Sequence, residues 1–461
     1  MKPMIEIAGA RVFLGDCVEV MKSLPENSVD SIVTDPPYGL EFMGKDWDAP
    51  WKKSGSFNGN IEETAESAGG VSKFANHRVR YQKGLEPMLG FQLWATEWAT
   101  ECLRVLKPGG HILAFGGSRT WHRLAVAVED AGFELRDSIA WLYGSGFPKS
   151  LDVSKAIDKR SGYEGEEREI RELSSEAKAW DGWGTALKPA FEPVVVGRKP
   201  LVGTVAENVL EWGVGGLNID GSRIGMKDGD GWDVPNPQAK TAHPSWTSGA
   251  TDRTGVDWTD KRQTPHVQGR WPANVILDKV TAGLLDEQSG VSKSGKPGVR
   301  SADGFNASVY GKGMGIAAGD ANGEYGDSGG ASRFFYVAKA SKRDRNEGLE
   351  DLPKFNRYKK GGVGGTGGKR DVSVAENATP VSNFHPTVKP TQLMRYLIKL
   401  VTPPGGTVLD PFTGSGSTGK AALLDGFQFV GAELTEEYLP IIEGRLRWAS
   451  EQEAETDDTL F

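Results

Sequence analysis

A chain of 461 residues with 62 acidic and 54 basic side chains carries a formal net charge of −8, which argues against a general polyanion binder but leaves room for a local basic surface. No apolar run approaches the roughly 20 residues that span a bilayer and no signal-peptide pattern opens the chain, so a soluble, cytoplasmic protein is expected. Cys17 and Cys102 are the only cysteines and the six histidines form no metal-ligand cluster, so neither a disulfide framework nor a zinc site is expected.

In chain order, a short strand at 12–14 leads through Gly15-Asp16 into a helix over 18–24. The apolar run Ser31-Ile32-Val33-Thr34 reads as a buried parallel strand. It is closed by Asp35-Pro36-Pro37-Tyr38. Two consecutive prolines donate no backbone hydrogen bond, so the strand ends rigidly with one carboxylate, free carbonyls and one aromatic ring at its carboxyl end. In open α/β sheets, ligands sit there. A polar, irregular stretch over 41–87 reads as a lid. A helix over 91–106 follows, ended by Pro108-Gly109-Gly110, then a strand at 111–115, a helix over 121–131 and a strand at 139–143. This alternation predicts a parallel-rich, doubly wound α/β sheet.

The rhythm is lost over 150–380. A charged helix is expected over 152–177 and one more sheet strand at 193–196. From about 203 to 332, Gly, Asp, Asn, Ser and Pro separate short apolar pieces such as Val275-Ile276-Leu277, the pattern of a loop-rich insert. Between Arg333 and Arg370, eleven Lys/Arg face four acids with aromatics interleaved, which suits phosphate contact and base stacking. Arg333, Lys339, Lys342 and Arg343 are its candidate nucleic-acid contacts; a solvated loop with buried aromatics is the alternative.

From His385 the α/β pattern returns: a helix over 390–401, a strand at 407–409, a glycine-rich loop over 410–419, a helix over 420–425, a strand at 427–431, a final helix over 438–448 and an acidic tail. The loop follows a strand and opens a helix, so a ligand can approach its backbone and the helix N-terminus. Gly414 and Gly419-Lys420 superficially match a phosphate-binding loop, but Ala421 stands where that motif needs a magnesium-binding hydroxyl. Nucleotide hydrolysis is therefore set aside. Glu433 follows at the distance where a carboxylate binds ribose hydroxyls.

Together, Asp35-Pro36-Pro37-Tyr38 and Asp410-Pro411-Phe412-Thr413-Gly414-Ser415-Gly416 resemble the S-adenosylmethionine-dependent amino-methyltransferases of DNA. The order, tetrapeptide first, resembles the β group of that family. The resemblance covers 10–150, 190–200 and 383–448. It implies a circularly permuted, Rossmann-like methyltransferase sheet divided as 1–150, 151–202, a target-recognition insert at 203–382, a cofactor half at 383–449 and a flexible tail at 450–461. It further implies that Asp35, Pro36, Pro37 and Tyr38 are catalytic, with Tyr38 stacking on a flipped base. Asp16 would contact the cofactor's adenine, Thr387, Lys389 and Pro390 its methionine end, Asp410, Phe412, Gly414 and Gly416 its loop, and Glu433 its ribose. Trp141, Tyr143 and Phe147 resemble the second aromatic wall of the base pocket. Asp at the first tetrapeptide position leans towards adenine N6, with cytosine N4 the alternative and an inactive nucleic-acid-binding protein on the same fold the rival of another class. Cytosine carbon-5 chemistry needs a cysteine nucleophile after proline, and neither cysteine follows one. Double-stranded DNA is the implied partner, in a nucleoid-associated bacterial or phage enzyme of an orphan or restriction-modification type. A homodimer, and a sliding-clamp contact through Leu460-Phe461, are further expectations.

Overall fold

Alternation within apolar runs decides the architecture. In the computed structural model, Ile32, Ile112, Val195, Leu409 and Val430 face one layer of helices, and their neighbours Val33, Leu113, Val194, Val196, Val408 and Phe429 face the other. A sheet covered on both faces needs such two-sided strands. The described residues are 1–39, 86–146, 150–160, 173–225, 269–293, 328–338, 344–356 and 380–452. The lid expected over 41–87 falls almost wholly outside them, as do Phe147, Lys339, Lys342, Arg343 and Leu460-Phe461.

One ten-stranded sheet organises the chain. Its strands are β1 (Ile5–Ile7), β2 (Ala10–Leu14), β3 (Val29–Thr34), β4 (Leu106–Phe115), β5 (Glu134–Leu142), β6 (Phe191–Arg198), β7 (Val275–Asp278), β8 (Tyr336–Ala338), β9 (Thr407–Asp410) and β10 (Gln428–Glu433). They lie in the order β1-β2-β10-β9-β3-β4-β6-β5-β7-β8. The segment from β2 to β4 is parallel throughout, whereas β6 runs antiparallel to both neighbours, β4 and β5. This is a Rossmann-like sheet in which the C-terminal strands β9 and β10 sit between the N-terminal strands β2 and β3, the permuted order expected.

Helices α1 (Cys17–Lys22), α2 (Glu86–Val105) and α3 (Trp121–Asp130) cover one face. Helices named α6 (Thr391–Val401), α7 (Ser417–Leu424) and α8 (Leu439–Glu451) cover the other, while α4 (Val153–Arg160) and α5 (Lys279–Ser289) belong to the middle of the chain. Buried polar ties join the two ends of the chain beneath the sheet. Ser31 meets the Thr402 hydroxyl at 2.7 Å, and Asp30 accepts the Thr407 N–H at 2.7 Å.

Three expectations need correcting. The stretch around Val275-Ile276-Leu277 is not an isolated apolar piece: β7 pairs parallel with β5, and β8 pairs parallel with β7, so the middle of the chain extends the main sheet. Runs this short carry no readable period. Pro108-Gly109-Gly110 does not separate a helix from a strand. It lies inside β4 as a bulge, with Leu106 opposite Val29 but His111 already opposite Ser31. The charged helix expected over 152–177 is, among the described residues, α4 and a separate one-turn helix at Ser175–Lys178.

No helix among the described residues is long and apolar enough to cross a membrane.

Candidate active site

Strands β9 and β3 are neighbours, so the ends of two segments remote in sequence meet at one sheet edge. Thr34 Oγ1 donates to Asp410 Oδ1 at 2.7 Å, the Phe412 N–H donates to the same oxygen at 3.0 Å, and Thr418 Oγ1 donates to Oδ2 at 2.6 Å. Asp410 therefore clamps the glycine loop to the tetrapeptide strand. Burial pushes its carboxyl up to about 6, against the pull of those hydrogen bonds.

The loop itself turns on two left-handed glycines, Gly414 (φ 55°) and Gly416 (φ 75°), a region that L side chains rarely adopt. Gly414 N–H donates to Glu433 Oε2 at 2.7 Å, and Thr435 N–H donates to Oε1 at 2.8 Å. Glu433 is pushed up to about 7 by burial, with both backbone donors opposing. The sign follows: a carboxyl whose pKa is raised in the folded protein favours folding below its ordinary value near 4.5, and this contribution is lost as pH rises through about 7. Denaturation midpoints measured across that window should fall with pH in the native protein and fall less in Glu433→Gln. An unchanged slope would remove Glu433 as the cause.

Lys420 confirms that this is not a phosphate-binding loop. Its amine is buried beneath the loop, 2.9 Å from Asp344 Oδ1 and 2.8 Å from Glu347 Oε2. Arg445, fully buried on α8, supports the loop by donating to Ser415 O, Ser415 Oγ and Ser417 Oγ at 2.8–3.0 Å.

On the other side of the edge, Tyr38 donates its hydroxyl to Asp35 Oδ1 at 2.7 Å and lies 3.2 Å from Glu192 Oε2. Thr120 Oγ1 holds the Tyr38 carbonyl at 2.7 Å. Burial, together with the charges of Asp35 and Glu192, lifts the phenol well above its ordinary pKa, so it stays a donor. Lys389 Nζ sits 2.8 Å from Asp35 Oδ2, 3.0 Å from Glu192 Oε2 and 3.0 Å from the Tyr38 hydroxyl. Burial works against the Lys389 charge, but the two carboxylates outweigh it and raise its pKa above the ordinary lysine value. The expectation for Lys389 is thereby refined: its amine is engaged with the tetrapeptide.

Glu192 was not reached from the sequence. It precedes Pro193 at the start of an apolar run, and only the reversed direction of β6 brings the first residues of that strand to the edge where the other strands end. The apolar run at 193–196 predicts a strand but carries no record of its direction.

Between these two walls lies a cavity of about 840 Å³. A volume of this size accommodates a nucleoside-sized ligand. Of the candidate residues, Asp16, Asp35, Pro36, Pro37, Tyr38, Tyr143, Thr387, Lys389, Asp410, Phe412, Gly414 and Glu433 line it. Trp141, Pro390 and Gly416 are not among the lining residues. Trp141 packs between Phe115 and Tyr143, Pro390 caps α6, and Gly416 opens α7. Asp16 also caps α1 through the Val18 and Glu19 N–H groups. Phe412 leans on Trp94 and Trp98, which fixes one apolar wall. The segment from Thr185 to Phe191 forms another part of the lining that the sequence did not suggest. Arg333 lies elsewhere: its guanidinium donates to Gly329 O, Gly330 O and Ser292 Oγ and stacks on Phe334, so it organises its own turn.

The type II methyltransferase M.HindIII of Haemophilus influenzae is 27% identical over 222 residues, covering 45% of this chain and 64% of the relative, so the chain spans just under two thirds of that protein. The DNA adenine methyltransferase YhdJ of Escherichia coli is 44% identical over 71 residues, 15% of this chain and 24% of its own. The solved PvuII DNA methyltransferase, described as cytosine-N4-specific, matches at 14% identity and a TM-score of 0.42, covering 96% of this chain and 88% of that one. A sequence profile of the DNA methylase family N6_N4_Mtase matches residues 29–444, spanning both the tetrapeptide and the glycine loop, and the chain belongs to that family.

Proposed function

We propose that this protein is an S-adenosylmethionine-dependent DNA methyltransferase acting on the exocyclic amine of a flipped base, with adenine N6 as the target. One observation carries the reading: Asp35-Pro36-Pro37-Tyr38 and the glycine loop meet across a single cavity, locked by the Thr34–Asp410 hydrogen bond. The aspartate at the first tetrapeptide position and the local likeness to YhdJ, a DNA adenine methyltransferase by name, support adenine over cytosine.

The residues present fit the cofactor. A carboxylate at the end of β10, the backbone at left-handed Gly414, and the rings of Phe412 and Tyr438 line one part of the cavity, a donor and acceptor set suited to a nucleoside. Glu433 and Asp16 would hold its ribose and adenine ends. When bound, S-adenosylmethionine supplies a methyl group on a sulfonium centre.

The chain's own residues then address the amine. An exocyclic base nitrogen is a poor nucleophile because its lone pair is delocalised into the ring. Accepting its two N–H bonds, the Asp35 carboxylate and the Pro36 carbonyl orient that lone pair and stabilise the positive charge that develops on nitrogen. Tyr38 supplies a stacking face for the flipped base, an interaction worth about 1–3 kcal/mol per base. Target choice belongs in this reading to the insert, residues 203–382.

The test is transfer of a tritiated methyl group to unmethylated duplex DNA, followed by nucleoside analysis. N6-methyladenine is the expected product. N4-methylcytosine would move the assignment to the other amine, and no incorporation into any DNA would end the reading.

A further inference from the structure

Lys389 and Glu192, which the methyl-transfer chemistry above does not use, form a device with Asp35 and Tyr38. Both oxygens of its carboxylate are engaged, Oδ1 by the Tyr38 hydroxyl at 2.7 Å and Oδ2 by Lys389 at 2.8 Å. The same lysine reaches Glu192 at 3.0 Å, and Glu192 approaches the same Tyr38 hydroxyl at 3.2 Å. A closed ring of two carboxylates, one ammonium and one phenol results. Lys389 is 8% exposed, and its ammonium lies 4.8 Å from the Phe115 ring centre and 5.4 Å from that of Tyr38, so aromatic faces screen it from water.

A buried lysine is costly unless paired and hydrogen-bonded, and two neighbouring carboxylates repel unless a cation stands between them. Here each defect cancels the other. A carboxylate oxygen carries two acceptor sites, so Asp35 keeps capacity for a base N–H while Lys389 and Tyr38 hold its plane fixed.

We propose that Lys389 and Glu192 are positioning residues for Asp35: Lys389 orients the Asp35 carboxylate and balances its charge, and Glu192 holds Lys389 in place. The inference rests on the methyl-transfer reading for its kinetic consequences but not for its electrostatic ones. It also separates Lys389 from a role at the methionine end of the cofactor.

Other charged and titratable groups line the same cavity as the ring. Tyr143 follows β5, Arg119 follows β4, Lys188 precedes β6, His385 precedes α6 and Asp410 ends β9. Lys188 is held by the Gly144 carbonyl at 2.7 Å, and Asp410 is tied to Thr34 and Thr418. His385, lowered to about 4 chiefly by burial, is neutral above that pH. None of these stands in the ring, where Lys389 is the only cation paired with both carboxylates among the described contacts.

The experiment compares wild type, Lys389→Met, Glu192→Gln and the double variant on duplex DNA. It follows kcat/KM against pH, the dissociation constant of S-adenosylmethionine, and a carbon-13 NMR titration of the Asp35 carboxyl. Lys389→Met leaves two carboxylates facing one another. It should lose on the order of 10²-fold in kcat near neutral pH, and its acid limb should move up by roughly one pH unit. Adding Glu192→Gln removes the second charge and should return the limb and recover about tenfold of the rate, a rescue that a merely structural lysine would not show. Glu192→Gln alone folds without an unpaired buried cation and should move the limb slightly downward. Cofactor affinity should stay within about threefold throughout.

An inactive wild type would sink the proposed function. The NMR midpoint still decides the inference in that case, because it must rise in Lys389→Met whether or not methyl transfer occurs. An unmoved midpoint overturns it. So does a double variant no better than Lys389→Met, or a loss of cofactor affinity that accounts for the loss of rate.

Discussion

Asp35→Ala is expected to lower methyl transfer to DNA on the order of 10³-fold while S-adenosylmethionine binding changes only a few-fold. The size follows from what the carboxylate does. Preorganised acceptors aimed at a developing charge contribute about 10²–10³ each when removed singly, and Asp35 is the only charged acceptor in the tetrapeptide. The substitution also leaves Lys389 paired with Glu192 alone, adding an uncompensated positive potential where the amine must become positive. Asp35→Asn sharpens the point: it keeps the shape and one acceptor oxygen but places an amide N–H₂ toward either Lys389 or Tyr38. It should lose nearly as much. Single-turnover transfer of tritiated methyl, with calorimetric titration of the cofactor, measures both quantities. More than a tenth of the wild-type rate in Asp35→Ala would remove this carboxylate from the chemistry.

The second large effect lies below the glycine loop. Asp344 accepts from the Thr391 N–H at 2.8 Å and from the Thr391 hydroxyl, and it pairs with Lys420 at 2.9 Å; Arg445 Nη2 is 3.7 Å away. Burial pushes its carboxyl up, but the Lys420 charge and the Thr391 and Lys420 hydrogen bonds prevail and hold it below the ordinary value. Asp344→Ala leaves Lys420 and Arg445 buried with Glu347 as the remaining carboxylate and removes the acceptor of the Thr391 N–H at the start of α6. A loss of about 3–5 kcal/mol in urea denaturation is expected, because breaking a buried pair strands its partner. Lys420→Met, combined with Asp344→Ala, should recover part of that loss. The native contribution of Asp344 is present above its unfolded value near 3.8 and is lost as pH falls through its lowered folded value, so the two proteins should converge in acid. A difference under about 1 kcal/mol would mean that water has replaced the carboxylate.

How far the sequence could be read depended on the length of the run and the direction of the strand. Buried parallel strands such as β3 and β10 are continuous apolar runs, and α6 and α8 carry full helical periods, so these elements were legible. The two halves of the site were legible as well, because proline pairs and glycine turns constrain backbone wherever they occur. Four residues at β7 and three at β8 fell below what periodicity can resolve. Direction was invisible too. Glu192 reaches the site only because β6 runs backwards, and nothing in an isolated strand records its orientation. Side-chain partners were hardest of all. Asp410, expected at the cofactor loop, also clamps two strands together, and Lys389, expected at the cofactor, also stands between two carboxylates. Such roles arise from contacts hundreds of residues apart.

The Thr34–Asp410 bond joins residues separated by 376 positions, and it bears on how the protein comes into being. Strands β2 and β3 leave the ribosome before β9 and β10, yet each needs one of them as a neighbour, β10 for β2 and β9 for β3. At about 5–20 residues per second, the tetrapeptide waits roughly 20–75 seconds before the glycine loop exists. Loop-closure entropy must be met before that pairing rewards it, so the sheet closes late and the nascent chain exposes two strand edges meanwhile. A ribosome-bound fragment ending before Thr407 should therefore have no methylating capacity and should engage chaperones. Moving the chain termini into the 203–268 region by circular permutation, which makes the two halves contiguous, should speed refolding without altering the finished site.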